Sequence, residues 1–323
     1  MKTQTITANY IKTIDWLNNK VIDWANAGKQ YSASGENEQL FHDSYSALDF
    51  NGAISSVDGK YAFVYQKLGT KGLLLKEGDL LREINRSYYY ANVYEYPAAF
   101  ITVNDITYLM HCPREYSRLD IENAETGEVV TNTPGREPGG FFHSRLEISP
   151  GGTYLLSKGW HWHPREVIYA YNIKSCIENP LLLDGCDTTP DIDVEISTAS
   201  FINDDEVIIG SGEESIDEEN VIFPPRHIAT WDIKENSVSS PVNVNGDFGN
   251  LFAINEDLAW DTFNYPKIIN IKTGEIIDKD ESVNSGKQTS SIVSKNALAQ
   301  IVFNRETKQL AIVGKESIHI LTP

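Results

Sequence analysis

Residues 159–166, Gly-Trp-His-Trp-His-Pro-Arg-Glu, carry a dense set of side chains capable of chemistry. His161 and His163 stand two apart, so on a strand both point to one side, with Trp160 and Trp162 on the other. Together with His143 they supply three imidazoles, a donor set that suits zinc, and Glu166 is the nearby carboxylate. One expectation is therefore a metal-dependent hydrolase or lyase centred on His143, His161 and His163. The competing and favoured expectation is that these rings pack or contact a partner, with no metal and no other cofactor.

A second set is cationic. Arg114, Arg165, Arg226 and Lys267 each follow a proline, in His111-Cys112-Pro113-Arg114, His163-Pro164-Arg165, Pro224-Pro225-Arg226 and Tyr265-Pro266-Lys267, and Arg136 lies in the Gly- and Pro-rich stretch 131–140. Arginine forks bind carboxylate or phosphate in a bidentate manner, so these five residues form a candidate partner-binding set with Trp160, His161, Trp162 and His163. Alternatively each cation pairs with an acidic neighbour, and each proline starts a strand where no N–H is needed.

Covalent and nucleotide chemistry have no support. The chain has no Gly-x-Ser-x-Gly elbow, no P-loop and no dinucleotide fingerprint. Its 46 Asp and Glu residues contain no pair that spacing singles out as an acid/base dyad. A non-enzymatic role is expected. The net charge of −19 argues against nucleic acid, which demands a dense basic surface, and suits either simple solubility or a basic protein partner. The three cysteines, Cys112, Cys176 and Cys186, are too few and odd in number for a disulfide framework. Cys176 and Cys186 could approach across a hairpin, but reduced thiols are favoured. Residues 1–16 lack an apolar signal core and no run is long enough to span a membrane, so a cytoplasmic monomer is expected.

The elements that must position these residues are strands. Sixteen Tyr and six Trp against two Met suit pleated, half-buried sheets. Short β-rich runs alternate with Gly, Asn, Asp and Pro clusters at intervals of roughly ten residues. Examples are 60–65 after Asp58-Gly59, 106–110, 116–121, 153–157 before the aromatic–His stretch and 167–173 after it, 181–183, 206–210, 227–233 and 268–271. The strand-joining prolines Pro113, Pro164, Pro225 and Pro266 recur at intervals of 51, 61 and 41 residues. Seven such segments of about 46 residues fit four-stranded propeller blades, six or eight being the other counts. Residues 3–8 form an unclaimed strand-like run, and the last segment lacks a fourth strand. Pairing the two ends closes the ring and removes exposed edges. The expected fold is all-β, a seven-bladed propeller of four-stranded antiparallel blades in one domain, 1–323, with the last blade shared between about 1–8 and 285–323.

Certain residues carry a family resemblance. Ile228-Ala229-Thr230-Trp231-Asp232-Ile233-Lys234 resembles the third-strand ending of a WD40 repeat, and Asn123-Ala124-Glu125-Thr126-Gly127-Glu128 and Asn270-Ile271-Lys272-Thr273-Gly274-Glu275 are similar to the turn that follows it. One segment carries a Trp-Asp at the end of its third strand, and the Gly-His pair that opens a WD40 blade is absent. The resemblance implies that the joints after each blade's second strand share one face with the links between blades. The five cations and His42, His111, His143, His161, His163 and His227 then collect on that face. The acidic stretch 211–220 lengthens one such joint, and Tyr88-Tyr89-Tyr90 leads into the next blade. These features point to a protein-binding propeller, narrowly an immunity-type inhibitor of a basic protein, with a small-ligand or carbohydrate-binding propeller as another alternative.

Overall fold

Turn chemistry sets the hairpins. Asn18-Asn19, Glu77-Gly78 and Asn104-Asp105 each place two consecutive residues at positive φ, the conformation that matches the twist of tightly joined strands and that Asn, Asp and Gly adopt most easily. Asn123 and Asn270 each accept two backbone N–H bonds, from Glu125 and Thr126 and from Lys272 and Thr273. Gly127 and Gly274 then turn the chain at φ 78° and 73°. A Cβ on Gly274 would sit 1.8 Å from the carbonyl oxygen of Asn243, so no other residue fits there.

The computed structural model describes residues 1–32, 37–185, 188–215 and 222–323. Among these, the strands assemble into seven antiparallel sheets, the blades of a propeller. Blade 1 is Asp15–Leu17, Lys20–Asp23, Lys29–Tyr31 and Asn37–Gln39; blade 2 is Gly52–Ser55, Tyr61–Tyr65, Lys71–Lys76 and Asp79–Asn85. Blade 3 comprises Ala98–Val103, Ile106–His111 and Asp120–Asn123, and a single bridge from Glu122 to Val129 stands where a fourth strand would lie. Blade 4 has an interrupted first strand: Phe141–Phe142 and Glu147–Ile148 both pair with Tyr154–His161, which pairs with Arg165–Asn172. Blade 5 runs Val194–Phe201, Glu206–Ser215, His227–Asp232, then Ser237–Val238 and Val242–Asn243; blade 6 is Leu251–Ala253, Leu258–Asp261, Lys267–Asn270 and Ile276–Lys279.

Blade 7 closes the ring as expected. Ile301–Phe303, Leu310–Val313 and Ser317–Thr322 are joined by the N-terminal strand Lys2–Thr7, in register from Lys2 opposite Thr322 to Thr7 opposite Ser317. The core lies between blades. Ile6, Ala311, Ile318 and Ile320 of blade 7 pack on Ile14, Val21 and Tyr31 at blade 1, and six further apolar clusters join the other neighbours in the same way.

One expected strand is absent and another is displaced, the run 116–121 giving a turn followed by the strand Asp120–Asn123. Residues 181–183 belong to the 3-10 helix Pro180–Asp184, which follows an α-helix at Ile173–Glu178. Asn172 caps that helix by accepting from the Ser175 N–H, Pro180 opens the second, and both bury one side, Cys176 and Leu183, against the core between blades 3 and 4. Residues 285–300, expected to fall within the last blade, add no strand to it. They form a strap, containing the 3-10 helix Lys295–Ala297, that leaves blade 6 and crosses to blades 3 and 4 before returning. The alternative Cys176–Cys186 approach and residues 216–220 of the acidic stretch lie outside the described residues. No helix of the described residues is long and apolar enough to cross a membrane.

Candidate functional site

All four prolines occupy the joint between a blade's second and third strands, in blades 3, 4, 5 and 6. In blade 4 the register runs to His161 opposite Arg165, leaving Trp162, His163 and Pro164 as the turn, with His163 at φ 72°. Gly159 makes this hairpin fit its neighbour. A Cβ there would meet the Phe142 carbonyl oxygen at 1.9 Å, so glycine lets the short first strand lie close. Trp160 then stacks on Phe142, 3.7 Å between centroids and 3° from parallel. Tyr116, at the blade 3 joint, covers the same Phe142 ring at 4.1 Å.

A continuous aromatic surface follows. Tyr89 lies 5.1 Å from Tyr116, and Tyr90 lies 5.0 Å from Trp162, which itself lies 5.8 Å from Trp160. Beneath it, Tyr94, Phe142 and Trp160 are buried. Above it, Tyr88, Tyr89, Tyr90 and Trp162 are 87%, 43%, 40% and 50% exposed. The expected common side of Trp160 and Trp162 holds, although the strand pairing itself ends at His161. Trp162, already in the turn, returns to the Trp160 side.

The expected histidine cluster does not form. His143 is buried, with Nδ1 bonded to Ser157 and Nε2 to the Ser117 carbonyl; burial lowers its pKa to about 3. His161 bonds through Nε2 to the Tyr169 hydroxyl, and His163 is exposed in the turn. Among the described residues no group of three or more His, Cys, Asp and Glu is placed to hold a metal ion.

The cationic set divides. Arg136 is buried and bonds to Asp184, Asp120 and the carbonyls of Leu119 and Thr131. Lys267 is buried 2.8 Å from Asp261 and donates to the Phe263 carbonyl. These two, like Trp160, are internal supports and do not line the surface. Arg114, Arg165 and Arg226 are exposed on the face of the joints, where Arg114 donates to Asn132 and Arg165 and Arg226 lie 3.5 Å from Asp193 and 3.0 Å from Asp247.

Sequence reasoning missed a second site, on the axis. The first strands of six blades surround a cavity of about 310 Å³, lined among others by Asp15, Ala53, Glu147, Thr198, Leu251 and Ile301. The break in the first strand of blade 4 shapes it. Arg145, at φ 43°, sits within that break, and its guanidinium donates to Asn250 at 2.6 Å and the Ser197 carbonyl at 2.8 Å. An unusual backbone conformation that re-aims a side chain is a frequent companion of function. Lys158 and Arg305 both lie 2.7 Å from Glu147. Burial favours the protonated form of Glu147, but these two cations outweigh it and hold the carboxyl below its usual range. Lys67 stands 3.7 Å from Glu95, whose carboxyl is likewise held low against burial. Asp15 accepts from Ser55 at 2.6 Å, and burial raises its pKa to about 6. The available signal was Arg145, Glu147 and Lys158, charges set inside otherwise apolar strands.

No protein-family model matches the chain, and no curated protein matches it. Among 870 matching chains of solved structures, one from the crystal structure of the mitotic checkpoint complex superposes with a TM-score of 0.60 at 12% identity, covering 99% of this chain and 91% of that one. The fold is that of a WD40-like propeller. At such identity, and with so many matches, the likeness is one of architecture. The WD40-like blades are locked by other means than the family's Gly-His pair. In blade 1, Asp23 at the end of the second strand accepts from the N–H groups of Lys12 and Thr13 in the preceding link. In blade 6, Asp261 at the same position accepts from Gly249 in its own preceding link.

Proposed function

We propose that this WD40-like propeller is a non-enzymatic protein-binding module whose contact surface is the aromatic face formed by Tyr88, Tyr89, Tyr90 and Trp162. The observation that carries the reading is the exposure of Tyr89, Tyr90 and Trp162 as one patch over the stacked Phe142–Trp160 pair, with Tyr88 exposed beside them in the chain. Aromatic rings on a rigid base lose little entropy on contact, and Trp, Tyr and Arg dominate interface energetics. Arg114 and Arg165, from the joints that bear Tyr116 and Trp162, supply polar contacts at the margin of the patch. The net charge of −19 favours a basic partner. An immunity-type inhibitor is the narrow form of this reading, supported by charge alone.

Co-purification from the native host tests it, comparing the unaltered chain with Tyr88→Ala/Trp162→Ala. A protein recovered with the former and lost with the latter is the expected result. Recovery of no partner, or of one that both chains retain equally, counts against the aromatic face as the contact surface.

A further inference from the structure

The axial cavity carries a reading of its own, independent of the aromatic face. Its volume of about 310 Å³ lies in the range of small-molecule sites. Four cations surround it, and each already has a carboxylate: Lys67 with Glu95, Lys158 and Arg305 with Glu147, and Arg145 with Glu166 at 3.9 Å. An anionic ligand would have to displace one of these carboxylates, leaving a buried charge uncompensated. A neutral ligand leaves them intact.

Two polar atoms of lining residues nevertheless lack a partner, each closed off from the channel until its side chain turns toward it. The Arg145 side chain is only 8% exposed and its Nε–H is unbonded; the Gln300 Oε1 is buried and accepts from no donor. One requires an acceptor and the other a donor, and a hydroxyl group is both. Asp15 adds an acceptor on the same lining, and Tyr65, Phe252 and Phe303 add the apolar faces against which a ring can lie. Gln288 of the strap crosses the mouth, donating to Glu95 before blade 3 and accepting from Asn250 before blade 6. That carboxamide also lines the cavity with a group matched to hydroxyls.

We propose that the axial channel binds a neutral, polyhydroxylated small molecule of monosaccharide size, whose hydroxyls meet Arg145 and Gln300. The test is titration calorimetry of the full chain with D-glucose, D-galactose, D-mannose, D-xylose and myo-inositol, with D-glucuronate as the anionic counterpart. At least one neutral compound is expected to bind at millimolar concentration or below, and D-glucuronate about tenfold more weakly or not at all. Gln300→Met keeps the side-chain length but removes the acceptor, and should weaken binding about tenfold. Trp162→Ala, on the outer face, should leave it unchanged. Crystals soaked with the bound compound locate it even if Gln300→Met does not fold. Binding by none of the neutral compounds, equal binding of D-glucuronate, full binding by Gln300→Met, or a soaked compound outside the channel overturns the proposal.

Discussion

Phe142 and Trp160 stack face to face, 3.7 Å between centroids, although one belongs to the first strand of blade 4 and the other to the second. The pair forms the floor of the aromatic face, whereas Trp162, two residues on, is half exposed. Trp160→Ala should cost about 3–5 kcal/mol, the price of a large core truncation. Trp162→Ala should change stability by about 1 kcal/mol or less. Urea denaturation of the two variants measures both, and equal losses would contradict this division between support and surface.

Gly159 permits that stack. Because a Cβ would meet the Phe142 carbonyl oxygen at 1.9 Å, Gly159→Ala must push the two strands apart. The expected cost is about 1–3 kcal/mol, with loosened packing around Trp160. A smaller red shift of Trp emission than in the unfolded chain, together with a lowered denaturation midpoint, would report it. An unchanged midpoint would show that the strands do not approach this closely.

The ring, its closure by the termini and the equivalence of the four proline joints were legible because turn residues and strand patterns are local signals. The helical turns at 173–184 were not, since Leu181-Leu182-Leu183 is too short an apolar run to distinguish strand from helix without seeing the Asn172 cap. The roles of Arg136 and Lys267 were hidden for another reason. A cation in a proline-containing turn looks exposed until the fold brings Asp184, 48 residues away, or Asp261, at the end of the preceding strand, against it. The channel was least legible. Which residues face the axis depends on closure of the whole ring, and the groups meeting there span Asp15 to Arg305.

Acid should weaken the fold through His143. Its pKa of about 3 lies below the unfolded value near 6.5, because burial penalises the imidazolium. Its contribution is therefore complete above about pH 6.5 and is lost as pH falls toward 3, with a ceiling of about 4–5 kcal/mol. Asp15 works in the opposite sense. Its pKa, raised by burial to about 6, means that the folded chain binds the proton more tightly, so stability falls as pH rises from about 4 to 6. The ceiling is about 3 kcal/mol, reduced by whatever water reaches Asp15 in the channel. Denaturation across this range should show that His143→Gln flattens the acid limb, while Asp15→Asn is more stable than the unaltered chain at pH 8 and loses that advantage below about pH 4. A difference that grows on acidification would refute the Asp15 assignment.

Closure of the ring by Lys2–Thr7 makes its own demand on the molecule. Without that strand, Ser317–Thr322 becomes an unpaired edge, and the apolar cluster between blades 7 and 1 loses Ile6. Exposed edges of this kind pair with other chains. Deletion of residues 2–7 should therefore produce self-association, visible by size-exclusion chromatography, and a lower unfolding midpoint. Ile6→Ala keeps the strand and removes only its buried side chain, so it should cost about 2–4 kcal/mol while the chain elutes as before. If the deletion variant matched the unaltered chain in both size and stability, the terminal strand could not be what holds the ring closed.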